Sequence, residues 1–139
     1  MSVTVAREPL VSSVMTRLLV TVGPDESVYA AWDLLSRGRI HHLPVVVQGR
    51  CVAVVEDRAV AAAIAGPIAS GRHRVADVMP SRVHCVLPDT PVRRVAEIMA
   101  LEETTAVPVV DEHMELLGLV THRDVVRAVA THGLGSAHD

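Results

Sequence analysis

Gly118-Leu119-Val120-Thr121-His122-Arg123-Asp124 decides how this chain is read. An apolar run suited to a buried strand ends there in a hydroxyl and a carboxylate three residues apart. Asp124 then opens a segment with Val125, Val126 and Val129 at helical spacing. A strand end that feeds a helix start exposes backbone N–H groups and the positive end of the helix dipole, which suits an anion. Thr121 can donate to a phosphate oxygen, and Asp124 can accept from a pair of sugar hydroxyls. The same two residues can also serve simply as a helix cap.

Working outward from this stretch uncovers a duplication. Val11-Ser12-Ser13-Val14-Met15 returns as Val75-Ala76-Asp77-Val78-Met79, a displacement of 64 residues from Met15 to Met79. At that displacement Val22-Gly23-Pro24-Asp25 meets Val86-Leu87-Pro88-Asp89, and Pro44-Val45-Val46 meets Pro108-Val109-Val110. One extra residue enters the second copy near His113, after which Val55, Arg58 and Val60 pair with Val120, Arg123 and Val125. A tandem repeat of about 60 residues therefore fills almost the whole sequence.

Both copies spell the same elements. A short apolar strand (18–22; 83–86) stops at a Pro-Asp turn signal. An amphipathic helix follows, carrying Val28, Ala31, Trp32 and Leu35 in one copy and Val92, Val95, Ala96 and Met99 in the other. Gly38 is placed to end the first of these helices. Two apolar runs split by a polar turn predict a hairpin (43–47 with 51–55; 107–110 with 116–120), and a last helix closes each unit (57–65; 123–130). The unit is β-α-β-β-α, and the fold class is α/β (α+β). One such unit leaves a sheet face uncovered. Two copies packed sheet to sheet about a pseudo-twofold axis bury those faces and leave clefts between them, where small ligands tend to bind. The chain divides into an N-terminal segment (1–10), repeat one (11–66), a linker (67–74), repeat two (75–131) and a tail (132–139).

Composition narrows the function. Large rings are confined to Tyr29 and Trp32, with no Phe, and the net charge is −3. A nucleic-acid partner is unsupported, since basic excess and stacking aromatics are both missing. No apolar stretch is long enough to span a bilayer and no signal peptide is evident, so a cytoplasmic location is expected. Cys51 and Cys85 lack the spacing of a disulfide or zinc framework and read as small core residues. There is no Ser-His-Asp order, glycine-rich phosphate loop or framed carboxylate pair, so no enzyme and no cofactor is expected.

The duplicated unit, the Pro-Asp turns, His42-Leu43-Pro44-Val45-Val46 with Ala106-Val107-Pro108-Val109-Val110, and Gly118 to Asp124 together resemble a tandem pair of CBS domains, a Bateman module. The resemblance runs from Val11 to Thr131 and leaves no room on this sequence for an attached enzyme or channel. It implies a regulatory module for adenosine compounds such as AMP, ADP, ATP or S-adenosylmethionine. It also implies a homodimer formed through exposed helices, with the Tyr29/Trp32 and Val125/Val126/Val129 faces as candidates, and an effector protein that reads the state of the module.

The resemblance assigns roles as well. It gives the ribose hydroxyls to Asp124 and phosphate to Thr121, with Arg123, His41 and His42 as basic partners. Adenine falls to Leu19 and Val20, with the backbone around Thr21 reading its edge. In repeat one the positions of Thr121 and Asp124 hold Glu56 and Ala59, and in repeat two the basic positions hold Thr105 and Ala106. One competent site is therefore expected rather than two. Each residue keeps a plainer reading: His41 and His42 as surface histidines, Arg123 as a structural counterpart of Arg58, and Trp32 as core or dimer surface. Paired histidines suggest a metal, but no third ligand stands at useful spacing. The competing function is a ligand-free dimerisation or scaffold module.

Overall fold

The computed structural model describes residues 8–66 and 73–132. Five helices and two hairpins alternate: α1 (Val11–Val14), α2 (Val28–Gly38), β1 (His42–Val47), β2 (Arg50–Glu56), α3 (Asp57–Ala65), α4 (Val92–Glu102), β3 (Ala106–Val110), β4 (Leu116–Thr121) and α5 (His122–His132). A 3-10 turn at Val75–Asp77 precedes the second half. The expected linker 67–74 and tail 132–139 lie largely outside the described residues. Among those described, no helix is long and apolar enough to cross a membrane.

Local chemistry explains the elements. Ser27 caps α2 by accepting from the Ala30 N–H at 3.0 Å, and Val28, Ala31 and Leu35 bury one helical stripe. The helix runs through Gly38, and Arg39, rather than the expected glycine, takes the left-handed conformation (φ 51°) that ends it. Glu103 does the same after α4 (φ 52°). The Ile40 N–H reaches the Leu35 carbonyl at 3.1 Å and the Thr104 N–H the Met99 carbonyl at 3.3 Å, so backbone closure holds both side-chain-bearing residues in that region. Gln48 and Gly49, both at positive φ, turn β1 into β2 in two residues. The longer β3–β4 turn is organised by Asp111, whose Oδ1 accepts from the His113 and Glu115 N–H groups at 2.8 and 3.0 Å. This turn absorbs the extra residue of repeat two.

The first strand of each unit is shorter than the sequence suggests. Each of the two sheets has two strands, β1–β2 and β3–β4. The segments 18–22 and 83–86 reach them through one parallel bridge apiece, Val22 to Val45 and Val86 to Val109. Proline sets the limit. The next parallel rung would require an N–H from Pro44 or Pro108, which neither possesses. Residues before Val22 therefore leave the sheet while still running alongside it.

The two halves also exchange their first residues, which periodicity does not reveal. Val11, the first residue of repeat one, is fully buried in the core of repeat two with Val92, Val95, Val107 and Val120. Val75, the first residue of repeat two, is fully buried in the core of repeat one with Val28, Leu35, Val45 and Val60. The bonds are reciprocal: the Val11 N–H donates to the Thr90 carbonyl and the Val75 N–H to the Glu26 carbonyl, both at 2.8 Å. At equivalent places the Val92 N–H donates to the Pro9 carbonyl at 2.9 Å and the Val28 N–H to the His73 carbonyl at 2.8 Å. The halves meet sheet to sheet, with Arg50 bridged to Glu115 and the Cys51 N–H donating to the Met114 carbonyl at 3.0 Å.

One junction has no twin. Thr16 bridges Leu119 through two backbone bonds of 2.9 and 3.0 Å, so the chain after α1 lies along β4. The equivalent of Thr16 in the second copy is Pro80, which has no N–H to donate. Gly118 makes the approach possible. A Cβ there would sit 2.5 Å from Met15 Sδ and 3.1 Å from the Thr16 carbonyl oxygen. Its counterpart in repeat one is Ala53, fully buried with its methyl group in place.

Candidate functional site

The end of β4 and the start of α5 form one wall of a cleft of about 450 Å³. Thr121, Arg123 and Asp124 line it, together with His122 and Arg127. The segment freed from the sheet by Pro44 supplies Leu19 and Val20, and the opposite wall brings Arg39, His41 and His42 from the end of α2 and the start of β1. Seven of the eight residues singled out from the sequence thus share one cavity. The eighth, Thr21, is exposed and is not among the lining residues.

At the mouth of α5 the hydroxyl and the carboxylate are tied to each other. The Thr121 N–H donates to Asp124 Oδ2 at 2.9 Å and the Thr121 hydroxyl donates to the same oxygen at 3.2 Å. The Asp124 N–H returns a longer bond of 3.4 Å to Thr121 Oγ1. This reciprocal pattern is a helix cap, so the plainer sequence reading describes a contact that exists. Asp124 is nonetheless unusual, being 6% exposed and the one charged side chain that is buried among the described residues. Its second oxygen, Oδ1, faces the Arg127 guanidinium at 4.0 Å.

The histidines are distinct. His41 is exposed, and its Nδ1–H donates to Asp57 Oδ2 at 2.8 Å, which holds the Asp57 carboxyl below the usual range and leaves the opposite edge of the ring open. His42 is half-buried. Its Nε2 bonds Thr105 Oγ1 at 2.7 Å, and the Thr105 hydroxyl in turn donates to Glu56 Oε2 at 3.3 Å. With the hydroxyl proton committed to Glu56, Nε2 of His42 is the donor. Burial lowers the His42 pKa below its ordinary value, against the raising influence of Glu56 and Asp57. Thr105 and Glu56 do not line this cleft, but these hydrogen bonds join both to its His42 wall.

Sequence reasoning missed Arg39 and Arg127. Arg127 was legible, since it follows Asp124 by one helical turn and so shares its face. Arg39 was not, because its place at the cleft depends on the left-handed turn. The lining gathers three arginines and three histidines around one carboxylate. At the matching positions of the other half stand Glu103 for Arg39, Thr105 and Ala106 for His41 and His42, Asp57 for His122, and Ala62 for Arg127. Of the six basic positions only that of Arg123 keeps a basic residue there, Arg58. Among the described residues no group of three or more His, Cys, Asp or Glu is placed to hold a metal ion.

The helix faces proposed for dimerisation also divide. Tyr29, Trp32, Val126 and Val129 are exposed, whereas Val125 is 8% exposed and packs in the core of repeat two. Val125 therefore cannot belong to an outer face, because α5 turns it toward Val120 and Val95.

Comparison with known proteins agrees with this architecture. The family model for the CBS domain matches residues 11–66 and again 75–131. The fold superposes on the CBS domain pair of protein MJ0100, solved with 5′-methylthioadenosine and S-adenosyl-L-methionine, with a TM-score of 0.80 and 27% identity, covering 89% of this chain and 98% of that one. CBSX2 of Arabidopsis thaliana in complex with AMP gives a TM-score of 0.77 and 28% identity over 87% and 96% of the two chains. CBS domain-containing protein YhcV of Bacillus subtilis is 27% identical over 128 residues, 91% of each protein. Several other curated relatives are much longer, and the chain spans 22–23% of their length. With two family matches filling most of the sequence and a fold to correspond, the chain belongs to the CBS domain family as a pair of repeats packed against each other.

Proposed function

We propose that the cleft between the repeats binds an adenosine nucleotide of the AMP, ADP or ATP class at a single competent site, and that the pair acts as a regulatory sensor. One observation carries the reading: a buried carboxylate, a hydroxyl at a helix start, an aliphatic shelf and six basic side chains gather round the same cavity. Asp124 would exchange its cap bonds for the ribose hydroxyls. Thr121 and the first N–H groups of α5 would meet a phosphate, with Arg123, His41 and His42 around it and Arg39 and Arg127 within the same lining. Leu19 and Val20 would cover adenine. S-adenosylmethionine fits less well, because its sulfonium would enter a cleft with three arginines and one carboxylate. No catalytic step is assigned.

Ligand would act by binding one relative arrangement of the repeats better than another. An effector protein, or a second copy meeting through Tyr29, Trp32, Val126 and Val129, would read the change. The ligand-free scaffold reading draws on the Thr121–Asp124 cap, which satisfies both residues without a ligand. A thermal-shift series with AMP, ADP, ATP, S-adenosylmethionine and NAD separates the two. A ligand at about 100 times its Kd adds roughly 2.7 kcal/mol, or roughly 8–10 °C in Tm for a chain of this size. No shift with any of the five would sink the sensor reading and leave the scaffold.

A further inference from the structure

His41 stands on the ridge between two cavities. One is the cleft already described, and the other, of about 270 Å³, opens between α2 and the start of α3. Arg39, Ile40 and His41 line both, but Asp57 lines only the second. Asp57 is thus kept from the contents of the cleft and can reach them only through His41. Two bonds join the pair: the Asp57 N–H donates to the His41 carbonyl at 2.9 Å, and His41 Nδ1–H donates to Asp57 Oδ2 at 2.8 Å. Chemistry fixes the direction of the second bond, because an ionised carboxylate has no proton to give and His41 holds the Asp57 carboxyl below the usual range. The backbone bond belongs to the fold, since the His122 N–H makes its equivalent to the Thr105 carbonyl at 2.9 Å. The side-chain bond does not, because Thr105, at the position matching His41, turns its hydroxyl to Glu56 instead.

We infer that Asp57 is a positioning residue of the nucleotide cleft: it holds His41 as the Nδ1–H tautomer, so that the free Nε2 edge donates to a phosphate only after taking up a proton. The inference rests on the nucleotide reading of the cleft and adds a consequence for ligand choice. A neutral ring held this way offers a phosphate oxygen only a lone pair, and the two repel. Once protonated, the ring donates from Nε2 while Nδ1–H stays on Asp57, so one charged chain runs from carboxylate to phosphate. A phosphorylated nucleoside therefore binds with proton uptake, and an unphosphorylated one binds without it. His42 lacks this device, because its Nε2 already donates to Thr105.

The charges around His41 leave this role to Asp57. Among the described residues it is the one carboxylate bonded to the ring. Glu56, at the end of β2, is engaged by Thr105 and faces Arg58 at 4.0 Å. Asp124, across the cleft, is engaged by Thr121 and faces Arg127. The remaining titratable or charged groups of the cleft are Arg39, His42, His122 and Arg123, all basic. The second cavity adds no charged group beyond Arg39, His41 and Asp57.

The test follows AMP and adenosine by calorimetric titration between about pH 6 and pH 8, in buffers of different ionisation enthalpy, for the native protein, Asp57→Asn, His41→Gln and the double variant. An Asn amide can donate to Nδ1 as well as accept from it, which frees the neutral ring to carry its proton on Nε2. Asp57→Asn should bind AMP about 5–10-fold more weakly than the native protein at the acid end and no more weakly at the alkaline end, with fewer protons taken up. Adenosine should show no such crossover. In the His41→Gln background the Asn change should have no further effect. Weakening by the same factor at every pH, or an effect undiminished in that background, would overturn the inference. Nitrogen–proton correlation spectra of the free protein read the tautomer without any ligand: Nδ1–H in the native chain at the alkaline end, moving toward Nε2–H in Asp57→Asn. A native His41 already in the Nε2–H form overturns the inference whatever the cleft binds. AMP that binds no variant at any pH, with the spectra as expected, instead overturns the nucleotide reading and takes this role of Asp57 with it.

Discussion

Ala53 to Ala59 and Gly118 to Asp124 are the same turn written twice. In both, a hairpin strand runs directly into a helix, and the first helical N–H is taken by the chain before the hairpin: Asp57 donates to the His41 carbonyl and His122 to the Thr105 carbonyl, each at 2.9 Å. Repeat one makes this turn with Glu56, which forms no side-chain cap, and with Ala59. Repeat two makes it with Thr121 and Asp124, which cap each other. A cap is worth about 1 kcal/mol, and the first turn stands without one. The polar pair is thus dispensable to the geometry. It stands beside three arginines, where the other half offers Glu103, Arg58 and Ala62, and the proposed ligand in the cleft would account for it.

The largest break in that comparison is Asp124→Ala, which makes repeat two resemble repeat one. Losing hydrogen bonds from two ribose hydroxyls to a charged acceptor costs roughly 1.5–3 kcal/mol each, so nucleotide affinity should fall at least 100-fold. Folding stability should drop by about 1 kcal/mol, the value of the cap. Ala59→Asp, the reverse change in the other half, should leave affinity unchanged. Calorimetric titration of the two variants side by side decides the matter. Equal effects, or none, would show that the halves do not differ as argued.

Gly118→Ala sharpens the comparison from the side of the fold. Ala53 shows that a methyl group is tolerated in repeat one, where Pro80 replaces Thr16 and no strand pairing forms. In repeat two the new Cβ would meet Met15 Sδ at 2.5 Å and the Thr16 carbonyl at 3.1 Å. The methionine can swing aside, but the carbonyl belongs to the bridge with Leu119, so about 1–3 kcal/mol of stability should be lost. Thr16 also lines the cleft, and ligand affinity should weaken with it. Urea denaturation with and without nucleotide measures both; a variant as stable as the parent would show that the bridge is not held by this contact.

How much of this was legible follows from the kind of signal each feature leaves. The duplication, both hairpins and the four longer helices write themselves as periodicity and turn residues, and Thr121 with Asp124 stood out because repeat one lacks them. The exchange of Val11 and Val75 left no trace, because a short apolar run packs equally well on either of two nearly identical cores. The shortened first strands follow from Pro44 and Pro108, residues visible in the sequence but informative only once the parallel register is known. Arg39 reaches the cleft through a left-handed turn that the preceding glycine seemed to claim. A contact such as His42 with Thr105 joins residues far apart in sequence, and no spacing rule reports it.

A smaller effect separates the arginines from the histidines. Arg39→Ala and Arg127→Ala should each weaken ATP binding about 5–10-fold, the range for one charge-assisted contact at a partly exposed site, and weaken AMP binding less. Both should flatten the dependence of affinity on salt. Glu103→Ala, at the position matching Arg39, should do neither. Identical losses for AMP and ATP would place the two guanidinium groups away from the distal phosphates.

The smallest expected effect is one of pH, and here stability and binding should move in opposite directions. Burial holds the His42 pKa below its ordinary value, so between about pH 6.5 and that lower value the unfolded chain takes up a proton that the folded chain refuses. The Tm of the free protein should therefore decline on acidification through this window. Asp57 adds a second loss at lower pH: its depressed carboxyl contributes stability above the ordinary aspartate value, and that contribution disappears as pH falls through the folded one. A phosphate beside His42 reverses the first trend, since its charge favours the protonated ring, and affinity should rise as pH falls from 8 to 5.5. The ligand's own phosphate titrates in the same range, so the comparison belongs between parent and His42→Gln at each pH. In the variant the decline in free-protein Tm should be shallower and the gain in affinity smaller. If His42→Gln instead flattens only the Tm slope and leaves the affinity slope unchanged, His42 serves the Thr105–Glu56 chain and not the ligand, and the basic wall of the cleft reduces to His41 and the arginines.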